Sequence, residues 1–105
     1  MKLCLYVTLA KSYLDVLPHQ ESISHDITYF DLDNFSDDLV ISTVIKALSK
    51  FDSIHLVIKA VEGVKLGGVL KMFNALISYD GALSVSVEGK HKVIENMIKR
   101  LPVSQ

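Results

Sequence analysis

Hydrophobic and polar positions follow two alternating patterns along this chain. In four segments the apolar residues are nearly continuous or alternate with a period of two, which is typical of buried or half-buried strands. In the segments that follow the later strands, apolar residues recur at every third or fourth position, which indicates helices with one buried face. The predicted strands are residues 2–9, 27–32, 54–61 and 82–87, and the predicted helices are residues 36–51, 66–79 and 90–101.

The segment between the first two predicted strands is open to two interpretations. Residues 10–17 carry several apolar side chains and can form a short helix that Pro18 would end. If this helix does not form, the first strand can instead run antiparallel to its neighbour in the sheet.

The order of the elements predicts the fold class. Strands that alternate with helices favour an open sheet in which crossover helices connect parallel strands. We therefore predict one α/β domain over residues 1–105, with a four-stranded, mainly parallel sheet and crossover helices. The flavodoxin-like fold is one architecture of this kind.

The last predicted strand has small side chains on one of its two faces. Leu83, Val85 and Val87 alternate with smaller residues, which are Ala82, Ser84 and Ser86. This pattern predicts a strand at an edge of the sheet, or one that another backbone approaches closely.

Composition excludes several classes of protein. Half of the residues are hydrophobic and 22% are charged, as in globular domains and unlike disordered chains. The formal net charge is -1 and there is no run of Lys and Arg, so we predict no nucleic-acid partner. No apolar run reaches the roughly 18 residues that a membrane span requires. Cys4 is the only cysteine, so no internal disulfide can form, which fits a cytoplasmic location.

The mean hydropathy of +0.34 is high for a domain of this size. Either both faces of the sheet are covered, or apolar surface is buried against another molecule. We therefore expect a protein partner or a homo-oligomer.

The turn before the second predicted helix, EGVKLGG, is the main candidate site. Glu62, Gly63, Lys65, Gly67 and Gly68 form a turn that can bind a partner or an anion, because open α/β sheets bind ligands beyond the carboxyl ends of their strands. The P-loop pattern is absent, since three residues instead of four separate the first two glycines and Val69 follows the third. The favoured interpretation is that Gly67 and Gly68 let the helix approach the sheet closely.

Other polar residues at predicted strand ends are secondary candidates: Asp31, Asp33, Lys59 and Glu88. Clustered carboxylates at strand ends can hold magnesium. A receiver-like phosphotransfer domain would also need an aspartate at the end of the third strand. That position is occupied by Lys59-Ala60-Val61, so the aspartate is missing. Solvated turn carboxylates are therefore the favoured interpretation, and we predict neither a metal nor a cofactor.

The histidines show no catalytic pattern. The chain has no pair of histidines with metal-ligand spacing and no nucleophile-elbow motif. His91 is predicted to lie on the surface, in the first turn of the last helix, and His55 on the more polar face of the third strand. His19 and His25 are predicted to lie in a loop, and Cys4 is predicted to be a small side chain within the apolar run of the first strand and not a reactive thiol. No catalytic residue is predicted.

From Ile27 onward the chain resembles the STAS domain, the fold of anti-sigma factor antagonists. The resemblance lies in the strand "IHLVIKAVEGV", the helix "GGVLKMFNAL" and the strand "ALSVSV", and it covers about three quarters of the chain. In that family a phosphorylatable Ser or Thr stands in the turn before the helix. Here Lys65 or Leu66 takes its place, Val64 replaces the family's Asp, and only Gly67 matches.

The resemblance implies a STAS-like regulatory domain without the serine phosphoswitch. The leading hypothesis is a non-enzymatic domain that binds another protein through the turn at residues 62–68 and the helix after it, or through an exposed sheet face. The alternative is a small enzyme or a phosphate- or nucleotide-binding module that uses the carboxyl ends of the strands.

Overall fold

The computed structural model describes residues 2–12 and 27–103 and shows an α/β fold with a four-stranded, all-parallel sheet. The strand order is β2-β1-β3-β4. The strands are β1 (Lys2–Thr8), β2 (Ile27–Asp33), β3 (Ser53–Ala60) and β4 (Ala82–Gly89). The helices are α1 (Asp38–Ala47), which continues into a 3₁₀ turn at Leu48–Lys50, then α2 (Val69–Ile77) and α3 (Lys92–Ile98). The predicted fold class is therefore confirmed.

β1 lies in the interior of the sheet and is parallel to both of its neighbours, β2 and β3. This excludes the antiparallel alternative for the first strand. Residues 10–12 are not helical. The remainder of the predicted short helix lies outside the described residues, and so do His19 and His25.

All three helices contribute to one core on the same face of the sheet. Every second residue of each strand points to this face, because successive side chains of a strand alternate between its two faces, and the helices bury those residues. Its main strand members are Leu3, Leu5, Val7, Leu32, Ile54, Leu56, Ile58 and Leu83. The helices add Ile41 and Val44 from α1, Met72, Phe73 and Leu76 from α2, and Ile94 and Met97 from α3.

The opposite face of β3 and β4 is polar and exposed. The strand register places Cys4, His55 and Ser84 side by side in one row. Nδ1 of His55 lies 2.7 Å from the Ser84 hydroxyl, and Nε2 of His55 lies 3.3 Å from the Ser86 hydroxyl. His55 therefore makes hydrogen bonds across the strands, and it lies on the more polar face of β3, as predicted.

The start of α1 differs by one residue from the sequence pattern. Asp37, and not Ser36, caps the helix, since its carboxylate accepts a hydrogen bond from the Val40 amide at 3.0 Å. Ser36 instead accepts a bond from the Asp33 amide at 3.0 Å, which closes the turn after β2.

The connection between α2 and β4 is held by a buried tyrosine. The hydroxyl of Tyr79 donates to the Phe51 carbonyl at 2.8 Å. Burial raises the pKa of Tyr79, and the charges of Asp52 and Asp80 raise it further. A glycine just after a helix often adopts the left-handed conformation that ends helices, but the φ of Gly81 is not positive. A side chain there would collide with the Tyr79 hydroxyl, so close packing explains this glycine.

Candidate functional site at the carboxyl edge of the sheet

The direction in which successive strands are added to the sheet reverses after β2, so that β1 and β3 become neighbours. The chain passes from β1 to β2 on one side and then crosses over to β3 on the other side of β1. The loops that follow β1 and β3 therefore diverge at the carboxyl edge. In open α/β sheets a crevice for ligands forms at this point.

A cleft of about 300 Å³ opens among the segments that follow β1, β2 and β3. We call it the loop cleft. Its lining residues are Ala10, Lys11, Asn34, Phe35, Gly63, Val64 and Lys65. Lys11 and Lys65 are exposed, and no carboxylate belongs to the lining residues that the structure describes. The loop cleft therefore suits a negatively charged group.

Asn34 joins the two loops on one side of the loop cleft. Its side-chain oxygen accepts a hydrogen bond from the Ala10 amide at 3.0 Å, and its side-chain nitrogen donates to the Ala10 carbonyl at 3.0 Å. This two-point contact sets the position of the chain just before Lys11. The sequence does not mark Asn34 as a residue of the site, because a contact across 24 positions leaves no local pattern.

The predicted turn at residues 62–68 divides into two parts. Gly63 and Lys65 line the loop cleft, and Glu62 is exposed nearby in the chain but does not line it. Gly67 and Gly68 pack against other parts of the protein. A Cβ at Gly67 would lie 2.6 Å from the Asn34 carbonyl oxygen, and a Cβ at Gly68 would lie 3.0 Å from the Ile41 side chain.

These contacts refine the role predicted for the two glycines. They do permit close approach, but to the loop after β2 and to α1, whereas the prediction named the sheet. Gly67 also has a φ of 57°, a conformation that favours glycine.

His91 was predicted to lie on the surface, and this is wrong. The side chain is only 5% exposed, and its Nε2 donates to the Val64 carbonyl at 2.7 Å. Because a carbonyl only accepts, Nε2 carries the proton. Nδ1 is buried and has no hydrogen-bond partner among the described residues. His91 thus fastens the start of α3 to the wall of the loop cleft.

The strand register brings three of the secondary candidates into one row at the carboxyl edge. Asp33 on β2, Thr8 on β1, Lys59 on β3 and Glu88 on β4 stand side by side. Lys59 and Glu88 also line a second cleft of about 320 Å³. Asp31 lies two residues earlier on β2, beside Tyr6.

This row does not form a magnesium site. Asp33 and Glu88 belong to the two edge strands, three strand spacings apart, which is roughly 14 Å. The Asp33 carboxylate also accepts a hydrogen bond from the Phe35 amide at 2.6 Å. Within residues 2–12 and 27–103, no group of three or more His, Cys, Asp or Glu side chains is arranged to hold a metal ion.

Exposed apolar side chains lie at the first turns of α1 and α2 and in the loop just before α1. We call this set the apolar patch, and its members are Phe35, Leu39, Val40 and Leu70. Leu39 is the most exposed of them, at 77%. The two turns are neighbours, because Lys71 forms an ion pair with Asp38 at 3.4 Å and Gly68 packs on Ile41. Phe35 belongs both to the apolar patch and to the loop cleft.

Comparisons with known proteins give no relative of this chain. No protein-family model, no curated protein and no solved structure matches it. Among the described residues, no helix has the length and apolar character needed to cross a membrane.

Proposed function

We propose that this chain is a non-enzymatic regulatory domain that binds another protein at the carboxyl edge of its sheet. The observation that carries the proposal is the apolar patch, which adjoins the loop cleft through Phe35. Exposed apolar side chains that lie together on a small domain mark interaction sites more often than scattered ones do.

The charges around the loop cleft specify the chemistry of the partner. Lys11 and Lys65 are exposed on the cleft, and within residues 2–12 and 27–103 no carboxylate lines it. A partner segment that combines an apolar side chain with a nearby carboxylate would cover the apolar patch and meet one of these lysines. Complementary charge of this kind favours association and sets orientation.

Selection of random peptides on the immobilised chain tests this function. We expect the enriched peptides to combine an apolar residue with Asp or Glu. Their binding should be lost in Leu39→Asp and weakened at least several-fold in Lys65→Glu, and it should weaken as the salt concentration rises.

Val93→Asp is the matched control, because Val93 is an exposed apolar residue on α3, away from the apolar patch. This variant should bind the peptides as the unmodified chain does. Enriched peptides that bind Leu39→Asp as well as the unmodified chain would contradict the proposal, and so would the absence of any enriched sequence.

A phosphate- or nucleotide-binding module is the second candidate function. It is favoured by the position of the loop cleft at the reversal of strand order and by its two lysines. Inorganic phosphate and nucleotides should then raise the melting temperature, because a ligand that binds only the folded state stabilises it. The rise should disappear in Lys11→Ala together with Lys65→Ala. No rise at millimolar concentrations would exclude this candidate.

The resemblance to STAS domains stays a prediction. It is supported by the order of elements from Ile27 onward, in which strands and helices alternate. If it holds, regulation would not use a serine in the turn, since Lys65 and Leu66 stand there. We also propose a cytoplasmic location, because a chain with one cysteine forms no internal disulfide.

A further inference from the structure

β4 forms one edge of the sheet, and within the described residues the backbone groups of Val85 and Val87 on its outer side lack a partner. The Ala82 amide donates to Asp52 at 3.1 Å, on the side of β3. Successive residues of a strand alternate in direction, so the amide and carbonyl groups of Val85 and Val87 point away from β3. Within the described residues, these groups make no hydrogen bond on that outer side.

The two edges of the sheet differ in how they are protected. Edge strands usually avoid pairing with other chains by means of charges, prolines or bulges. β2 carries two carboxylates, Asp31 and Asp33. β4 has one charge, Glu88 near its end, no proline, and an unbroken register with β3. Of the two edge strands, β4 therefore has the fewer features that prevent pairing with a strand of another chain.

We propose that two copies of this chain pair through β4, antiparallel, about a twofold axis at Ser86. In this register Val85 lies opposite Val87 of the partner subunit, and Ser84 lies opposite Glu88 of the partner subunit. Two four-stranded sheets thereby become one sheet of eight strands, with α1, α2 and α3 of both copies on the same face. The pairing uses none of the residues of the apolar patch or the loop cleft.

The side chains of β4 favour a second copy in this register. Val87 is 44% exposed, and pairing would cover it with the half-buried Val85 of the partner subunit. The Glu88 carboxylate would face the hydroxyl of Ser84 of the partner subunit. A register moved by two residues in one direction places Glu88 opposite Ala82 of the partner subunit, whose side chain has no polar group. Moved in the other direction, the register places Glu88 opposite Ser86 of the partner subunit, but it shortens the paired segment from residues 83–89 to residues 85–89, because β4 ends at Gly89. A parallel pairing would bring the two Glu88 carboxylates together, which is unfavourable.

Sedimentation velocity on the full chain tests the dimer. Pairing of one edge strand buries an area at the low end of specific interfaces, so the dimer should form in a concentration-dependent way. The mass should rise from 11.7 kDa toward twice that value between about 10 μM and 1 mM. A chain that stays monomeric over this range would overturn the proposal.

Two valine variants with equal exposure distinguish this edge from other surfaces. Val87→Lys places a charge on β4 and should leave the chain monomeric at every concentration. Val40 is also 44% exposed but lies on α1, so Val40→Lys should dimerise like the unmodified chain. The melting temperature of Val87→Lys should stay close to that of the unmodified chain, which shows that the fold persists. A Val87→Lys chain that still dimerises would overturn the proposal.

Cross-linking tests the register in a Cys4→Ser background. At the twofold axis, Ser86 and Ser86 of the partner subunit form a pair without mutual hydrogen bonds, with Cα atoms about 4.5 Å apart, a distance that permits a disulfide. Oxidised Ser86→Cys should therefore run as a covalent dimer, and Ser84→Cys should not. Preferential cross-linking of Ser84→Cys, or equal cross-linking of both variants, would overturn the register.

Discussion

The two parts of the turn between β3 and α2 make different contacts, although both contain a glycine with a positive φ. Gly63 has a φ of 80°, and a side chain there would meet nothing within 4 Å. Gly67 has a φ of 57°, and a side chain there would meet the Asn34 carbonyl. The first part lines the loop cleft and the second part holds α2 against α1 and the loop after β2.

The difference shows that a glycine-rich turn need not act as one unit. Residues 62–65 are exposed or partly exposed, and the Val64 carbonyl is held by the buried His91. Residues 66–68 begin with the buried Leu66 and lead into α2. Substitutions along the turn should therefore range from strongly destabilising to neutral.

Gly67→Ala should have the largest effect on stability. The alanine would have to adopt a left-handed conformation and also displace the Asn34 carbonyl, which lies 2.6 Å from the new Cβ. We expect the free energy of unfolding to fall by roughly 3 kcal/mol. Urea denaturation measures this value. A loss equal to that of Gly63→Ala would show that the two parts of the turn do not differ.

His91→Ala should have the second largest effect on stability, and we expect the free energy of unfolding to fall by about 2 kcal/mol. It removes a buried side chain and leaves the Val64 carbonyl without its donor. Urea denaturation gives the free energy, and faster amide hydrogen exchange at residues 62–65 would show that the loss is local to the cleft wall. Unchanged exchange in this segment would contradict the anchoring role of His91.

Gly63→Ala should cost about 1 kcal/mol, because only backbone strain opposes it. Gly63→Asn should cost less, since asparagine adopts the left-handed conformation more readily. Thermal denaturation of the two variants checks this order. If alanine and asparagine are equally costly, a steric contact and not backbone strain would limit position 63.

Lys65→Ala should have the smallest effect on stability, within about 0.5 kcal/mol, because the side chain is exposed. Its effect should appear in binding, as weaker retention of the acidic peptides selected on the unmodified chain. The same urea measurement and a fluorescence titration separate the two properties. A large loss of stability would mean that Lys65 has a structural contact.

The fold could be predicted from the sequence because its pattern is local. The alternation in β3 places Ile54, Leu56 and Ile58 on the covered face, and the structure confirms this arrangement. The pattern in β4 predicted either an edge strand or a strand that another backbone approaches closely, and β4 is one of the two edges. Helix ends were less predictable, since α2 begins at Val69 and not at residue 66, because the preceding residues form the close contacts of the turn.

The candidate site could be predicted only in part. Its location at the carboxyl edge followed from the class of fold, and Gly63 and Lys65 do line the loop cleft there. The contributions of Lys11 and of the Asn34–Ala10 contact depend on strand order, which the sequence does not specify. The burial of His91 depends on how α3 packs against the turn, a contact across 27 positions.

The sequence by itself determined which segments become strands and helices, and which side chains of each strand face the core, because these properties depend on residues a few positions apart. The tertiary structure decided the strand order β2-β1-β3-β4, the division of the turn between β3 and α2, and the exposed outer side of β4. These features depend on contacts between segments that are distant in the sequence. In such contacts, the shape and the hydrogen-bonding groups of one segment limit which residues of the other segment can pack against it.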